Sequence, residues 1–131
     1  MNEESNLMRI VLVEPGKPAK VVEIEHTLES MRETIGAEWI QAVYPFEDAV
    51  GLVCDDEGKF NGAIPNRPLL SENKDILDVL YGPFFICGLG KEDFCGLTEE
   101  LAEKYLKMFK NPYMFAEMTD GRIGMREMKN G

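Results

Sequence analysis

Histidine, positive charge and long apolar runs are all scarce in this chain, and each scarcity removes a class of function. Fourteen lysines and arginines stand against 24 aspartates and glutamates, a net charge of −10. Non-specific nucleic-acid binding needs a basic face to displace phosphate counterions, so no direct nucleic-acid binding is expected. No apolar run approaches the ~18–20 residues of a membrane helix, so no membrane association is expected either. The single histidine, His26, has no serine or cysteine paired with it in a local motif, and the nucleophile pattern G-x-S-x-G is absent. It reads as a surface or helix-capping residue. The three cysteines, Cys54, Cys87 and Cys95, are odd in number and too few for a disulfide framework.

What remains has the make-up of an ordinary globular domain. The chain has 131 residues, 44% hydrophobic and 29% charged, which is one domain spanning 1–131. Its opening MNEESNLM is acidic and polar, unlike a secretory signal. Residues 1–7 are expected to be flexible. Cys54 and Cys87 sit inside apolar runs, where a reduced thiol acts as a small core residue, and a cytoplasmic location follows.

The hydrophobic pattern sets out the elements. Met8 to Val13 is β-branched and nearly continuously apolar, a strand covered on both faces. Glu14-Pro15-Gly16-Lys17-Pro18 stops it, and Lys20 to Glu25 alternates, which makes a hairpin. Thr27 is placed to cap a helix through Ile35, closed by Gly36, with Leu28, Met31 and Ile35 on one stripe. Trp39 to Tyr44, Ala49 to Cys54 and Gly82 to Cys87 read as strands. Pro65-Asn66-Arg67-Pro68 reads as irregular, and Ser71 to Asp78 as a loop entering a strand. Thr98 caps a second helix. Glu99 and Glu100 lie in its first turn and Lys104 and Lys107 near its end, with Glu100–Lys104 and Glu103–Lys107 as i,i+4 pairs. Met114 to Met118 and Arg122 to Met128 flank Thr119-Asp120-Gly121 as a terminal hairpin within 111–131. The expected fold is α+β: a mostly antiparallel sheet with two amphipathic helices packed on it.

Chemistry-bearing motifs are few. Zinc needs closely spaced ligand pairs, whereas Cys87 and Cys95 are eight apart with no second pair. Asp55 to Gly62 fails as a calcium loop, since Lys59 and Phe60 occupy the fifth and sixth positions, and a hairpin turn is the better reading. Gly88-Leu89-Gly90 leads into Lys91-Glu92-Asp93 rather than a phosphate-binding helix. Neither a metal nor an organic cofactor is expected. One segment stands out: Asn61, Asn66 and Arg67 place two amides and a guanidinium beside two rigid prolines. Arg67 is the lone arginine between Arg32 and Arg122, suited to take a carboxylate or phosphate bidentately. The competing reading pairs Arg67 with a neighbouring acid and leaves Asn66 to close a turn.

Several stretches together carry a resemblance. They are Val13-Glu14-Pro15-Gly16-Lys17, Leu28-Glu29-Ser30-Met31, Ala42-Val43-Tyr44-Pro45-Phe46 and Asp56-Glu57-Gly58-Lys59-Phe60-Asn61-Gly62. Asn66-Arg67, Gly82-Pro83-Phe84-Phe85-Ile86-Cys87-Gly88 and Leu97-Thr98 with its helix continue them. Over about residues 8–118 this resembles a family of small domains of unknown function from phages, conjugative elements and Gram-positive bacteria. The resemblance implies an accessory protein of a mobile element and carries over no catalytic residue. The expected function is therefore non-catalytic binding of a host protein or a small anionic ligand, in a counter-defence setting. One alternative is an acidic mimic of DNA, although the longest acidic run is only Asp55-Asp56-Glu57. Another is a small hydrolase-like enzyme using Asp93 near Cys95, or Asp55 near Glu57. A homodimer is also open, formed through an exposed sheet face or by the terminal hairpin adding to a neighbour's edge.

Overall fold

The computed structural model describes residues 6–57 and 63–129. The chain runs β1 (Leu7–Val13), β2 (Lys20–Glu25), α1 (Leu28–Ile35), β3 (Ile40–Val43) and β4 (Val50–Asp55). It continues through β5 (Pro65–Leu70), β6 (Ile76–Tyr81), β7 (Phe84–Leu89) and β8 (Phe94–Cys95), then α2 (Glu99–Met108), β9 (Tyr113–Glu117) and β10 (Ile123–Glu127). A central antiparallel sheet is ordered β2-β1-β7-β4-β3, with β8 added to the far end of β7. Two hairpins, β5–β6 and β9–β10, form separate two-stranded sheets.

Strand alternation builds two cores, one on each face of the sheet. Val11 and Val13 of β1, Leu52 of β4, and Phe84 and Ile86 of β7 point to one side. There they meet Ala102 and Tyr105 of α2, Phe109, and Leu80 of β6. Met8, Ile10 and Leu12, with Phe85 and Cys87, point to the other side and are covered by Met31 and Ile35 of α1. Continuous apolar runs in β1, β4 and β7 thus mark strands with a helix layer on both sides. The result is one α+β domain with a mostly antiparallel sheet, as the pattern predicts.

Both helices begin as expected. Thr27 and Thr98 accept hydrogen bonds from the backbone N–H of Ser30 and Leu101, at 3.0 and 3.2 Å. Gly36 closes α1 in the left-handed region at φ 75°, a conformation costly for any residue with a Cβ. Leu28 stays largely exposed rather than joining the core stripe.

The main difference lies at residues 65–68, expected to be irregular but found in strand β5. A proline holds the residue before it in the extended region, which a strand accepts, and the missing donors are tolerated in a two-stranded edge sheet. A register shift between Pro65 and Arg67 absorbs the irregularity. At the start of the chain, Leu7 already pairs with Glu25, so the sheet begins within the segment 1–7; residues 1–5 lie outside the described ones. Residues 58–62, part of the expected hairpin turn, lie outside them too.

Candidate functional site

Asn66 and Arg67 are buried at 0% and 1% exposure, the two buried polar residues among those described. The Asn66 side-chain amide donates to the carbonyls of Val13 at 3.0 Å and Gly82 at 2.8 Å, tying β5 to the ends of β1 and β6. Its Oδ1 accepts from Arg67 Nη1 at 2.8 Å. The guanidinium then closes the knot. Nε and Nη2 donate to the Phe109 carbonyl at 3.2 and 3.0 Å, Nη2 to the Lys17 carbonyl at 2.6 Å, and Nη1 to the Asn66 carbonyl at 3.3 Å. A guanidinium has five N–H protons, and these five hydrogen bonds occupy all of them.

None of the four acceptor atoms, of which the Phe109 carbonyl takes two bonds, is a carboxylate. Charge compensation comes from carbonyl dipoles, and the Phe109 carbonyl belongs to the C-cap of α2, the negative end of the helix dipole. Burial nevertheless pulls the Arg67 pKa down to about 10, so the side chain remains cationic at neutral pH. The predicted pairing of Arg67 with a neighbouring acid is replaced by a clamp. It joins the β1–β2 turn, strand β5 and the end of α2. With every donor used inside the protein, no N–H of Arg67 is presented to an anion. Asn61 lies outside the described residues, so the structure brings together only Asn66 and Arg67 of the predicted trio.

The other nominated groups are spread apart. His26 follows β2, its backbone N–H bonded to the Asn6 carbonyl at 2.6 Å. Its Nε2 lies 3.3 Å from Asp93 Oδ2, but not in hydrogen-bonding alignment. Asp93 also turns its Oδ1 to the N–H of Phe94 at 2.7 Å, which starts β8. Asp55 accepts from the Glu57 N–H at 2.9 Å, a turn rather than an acid–base pair. Cys54 and Cys87 are buried in the two opposite cores and Cys95 is half-buried, all three as free thiols. Burial drives the Cys87 pKa up to about 12, away from the thiolate that reactivity requires. Among the described residues, no group of three His, Cys, Asp or Glu side chains could hold a metal ion.

A further polar cluster escapes sequence reasoning. Asp48, in the β3–β4 loop, accepts from Lys104 Nζ at 2.6 Å and from Tyr105 OH at 2.8 Å. The Lys104 hydrogen bond, then that of Tyr105, lowers the Asp48 pKa. Burial first, then Asp48, raises that of Tyr105. Phe46, two residues earlier, packs its ring on Tyr105 at 5.0 Å between centroids. Lys104 therefore spends its charge on a distant loop rather than on Glu100 one turn away. The faint signal was an aromatic–acid loop, Tyr44-Pro45-Phe46-Glu47-Asp48, and a helix whose buried stripe carries a tyrosine hydroxyl in need of a partner.

Large apolar residues are exposed at several places on the surface, Trp39, Tyr44 and Leu77 among them, and four of them, Met114, Met118, Ile123 and Met128, lie in or beside the C-terminal hairpin. By register, Met114 and Ala116 of β9 share one face with Gly124 and Arg126 of β10, continued by Met118 and Met128 just beyond the strands. Met114, Met118 and Met128 are 49%, 48% and 42% exposed. Beside this hairpin lies a shallow cleft of about 350 Å³, lined by Pro65, Phe115, Ala116, Glu117, Gly121 and Ile123.

A two-helix α+β domain with an antiparallel sheet is the class this architecture defines. The chain belongs to the DUF3846 family, a domain of unknown function, which it matches over residues 8–110, from β1 to the end of α2. No curated protein and no solved structure matches it.

Proposed function

We propose that this protein is a non-catalytic binding domain, a cytoplasmic accessory factor of a phage or other mobile element that holds a host protein. The single observation behind this reading is the methionine face of the terminal hairpin. Unbranched, polarisable methionine side chains adapt to a partner's contour, and three of them exposed on one face give an apolar surface that water solvates poorly. Arg126, among them, supplies a charge-assisted donor for a carboxylate on that partner. The setting comes from the resemblance to mobile-element domains, and a counter-defence role belongs to that setting. Binding through such a face should tolerate salt, whereas mimicry of DNA by scattered acids would weaken steeply as salt screens it.

The test is affinity capture from the native host with the wild-type chain and with a Met114→Glu, Met118→Glu double variant. Supporting the reading, a defined host protein binds wild type at low and high salt and is lost from the variant. An identical set of proteins on both baits would refute it.

A further inference from the structure

We infer that the outer edge of β10 pairs with the same edge of a second copy of this chain, joining two terminal hairpins into a four-stranded antiparallel sheet. This inference uses the strand edge, not the methionine face, and stands independently of the reading above.

The ladder between β9 and β10 fixes which groups face outward. Met118 N–H donates to Arg122 O at 2.7 Å and Met128 N–H to Pro112 O at 2.8 Å. In an antiparallel pair, bonded and non-bonded positions alternate, so residues 122, 124, 126 and 128 bond inward. Ile123, Met125 and Glu127 then aim their N–H and C=O groups away from β9, and among the described residues nothing is bonded to them. Such an edge is completed by an extended strand.

Charge decides for a second copy. Two molecules of net charge −10 repel each other, and β2 guards its own edge with Glu23 and Glu25 at alternate positions. The hairpin is different. Residues 113–129 hold Arg122, Arg126 and Lys129 against Glu117, Asp120 and Glu127, a neutral patch on an acidic protein. Outward-facing residues must meet outward-facing residues, which leaves few registers. Centring the twofold one step to either side of Met125 sets Arg126 against Arg122 or against Arg126 of the second copy. Centring it on Met125 sets Met125 against Met125, Ile123 against Glu127 and Gly124 against Arg126, with no like charges directly opposed.

Sedimentation equilibrium on the full chain tests this. Wild type should approach twice its 14.8 kDa with rising concentration. Met125→Lys and Met125→Glu, each folded by far-UV circular dichroism, should dimerise about fivefold more weakly, because like charges meet at the axis. Mixing the two should restore a heterodimer. Ile123→Lys, which brings a lysine opposite Glu127, should keep or strengthen the dimer and serves if position 125 proves intolerant. Wild type that stays monomeric up to millimolar concentration would overturn the inference. So would Met125 variants that dimerise like wild type, a mixture that forms no heterodimer, or an Ile123→Lys chain that falls apart.

Discussion

Replacing Arg67 by methionine tests the clamp most sharply, because it keeps the aliphatic stem and removes only the guanidinium. The Phe109 and Asn66 carbonyls and the Asn66 Oδ1 would each lose a donor inside the protein, and the Lys17 carbonyl would lose one at the partly buried rim. An unsatisfied buried acceptor costs about 1–3 kcal/mol, so three give roughly 3–9 kcal/mol. Part of that is recovered, since the folded state no longer buries a cation without an anionic partner. A net loss of about 3–5 kcal/mol results, a large share of the ~5–15 kcal/mol that a domain has in total. Urea unfolding at neutral pH reads it directly: with a slope near ~2 kcal/mol/M, the midpoint should fall by about 2 M. Arg67→Lys should be intermediate, because an ammonium keeps the charge but not the fork. A midpoint within ~0.3 M of wild type in both variants would refute the reasoning. So would wild-type stabilisation by phosphate that Arg67→Met abolishes, since that would mean the guanidinium serves an anion.

Two further outcomes follow from the polar groups. The Asp48 pKa is lowered, so its contribution is present above the ordinary carboxylate value and is lost as pH falls through the depressed one. Asp48→Asn should therefore flatten the acid limb of a melting-temperature profile below about pH 4, and an unchanged limb would contradict that. The Cys87 pKa is raised, so stability holds below the thiol's ordinary value near 9.0 and declines as pH climbs from there toward about 12. Cys87→Ala should lower the neutral-pH midpoint but lessen this alkaline decline; an alkaline limb as steep as wild type would count against it.

Local rules predict most of the architecture. Thr27 with Gly36, and Thr98 with the acidic first turn after it, bracket the helices because capping depends on neighbours within one turn. Strands β1, β4 and β7 are recognisable because a core on both faces leaves an unbroken apolar run. The two-residue β8 has no such run and is missed. Residues 65–68 mislead for a different reason: prolines are usual in loops, yet their extended backbone also suits an edge strand. The fate of Arg67 is invisible locally, since beyond neighbouring Asn66 its acceptors lie 42 and 50 positions away. The same holds for Asp48, whose phenol partner is 57 positions off. An arginine with no other between Arg32 and Arg122 in an acidic chain reads equally well as an anion site, and only the tertiary fold shows its donors consumed.

Binding through the methionine face is the central claim, and site-specific photo-crosslinking in the native host addresses it most directly. A crosslinker placed at Ala116, between Met114 and Met118, should yield one dominant adduct with a host protein. The same group at Glu33, on the exposed side of α1, should not. Equal adducts from both positions, or none from Ala116 while the protein is present and folded, would contradict it.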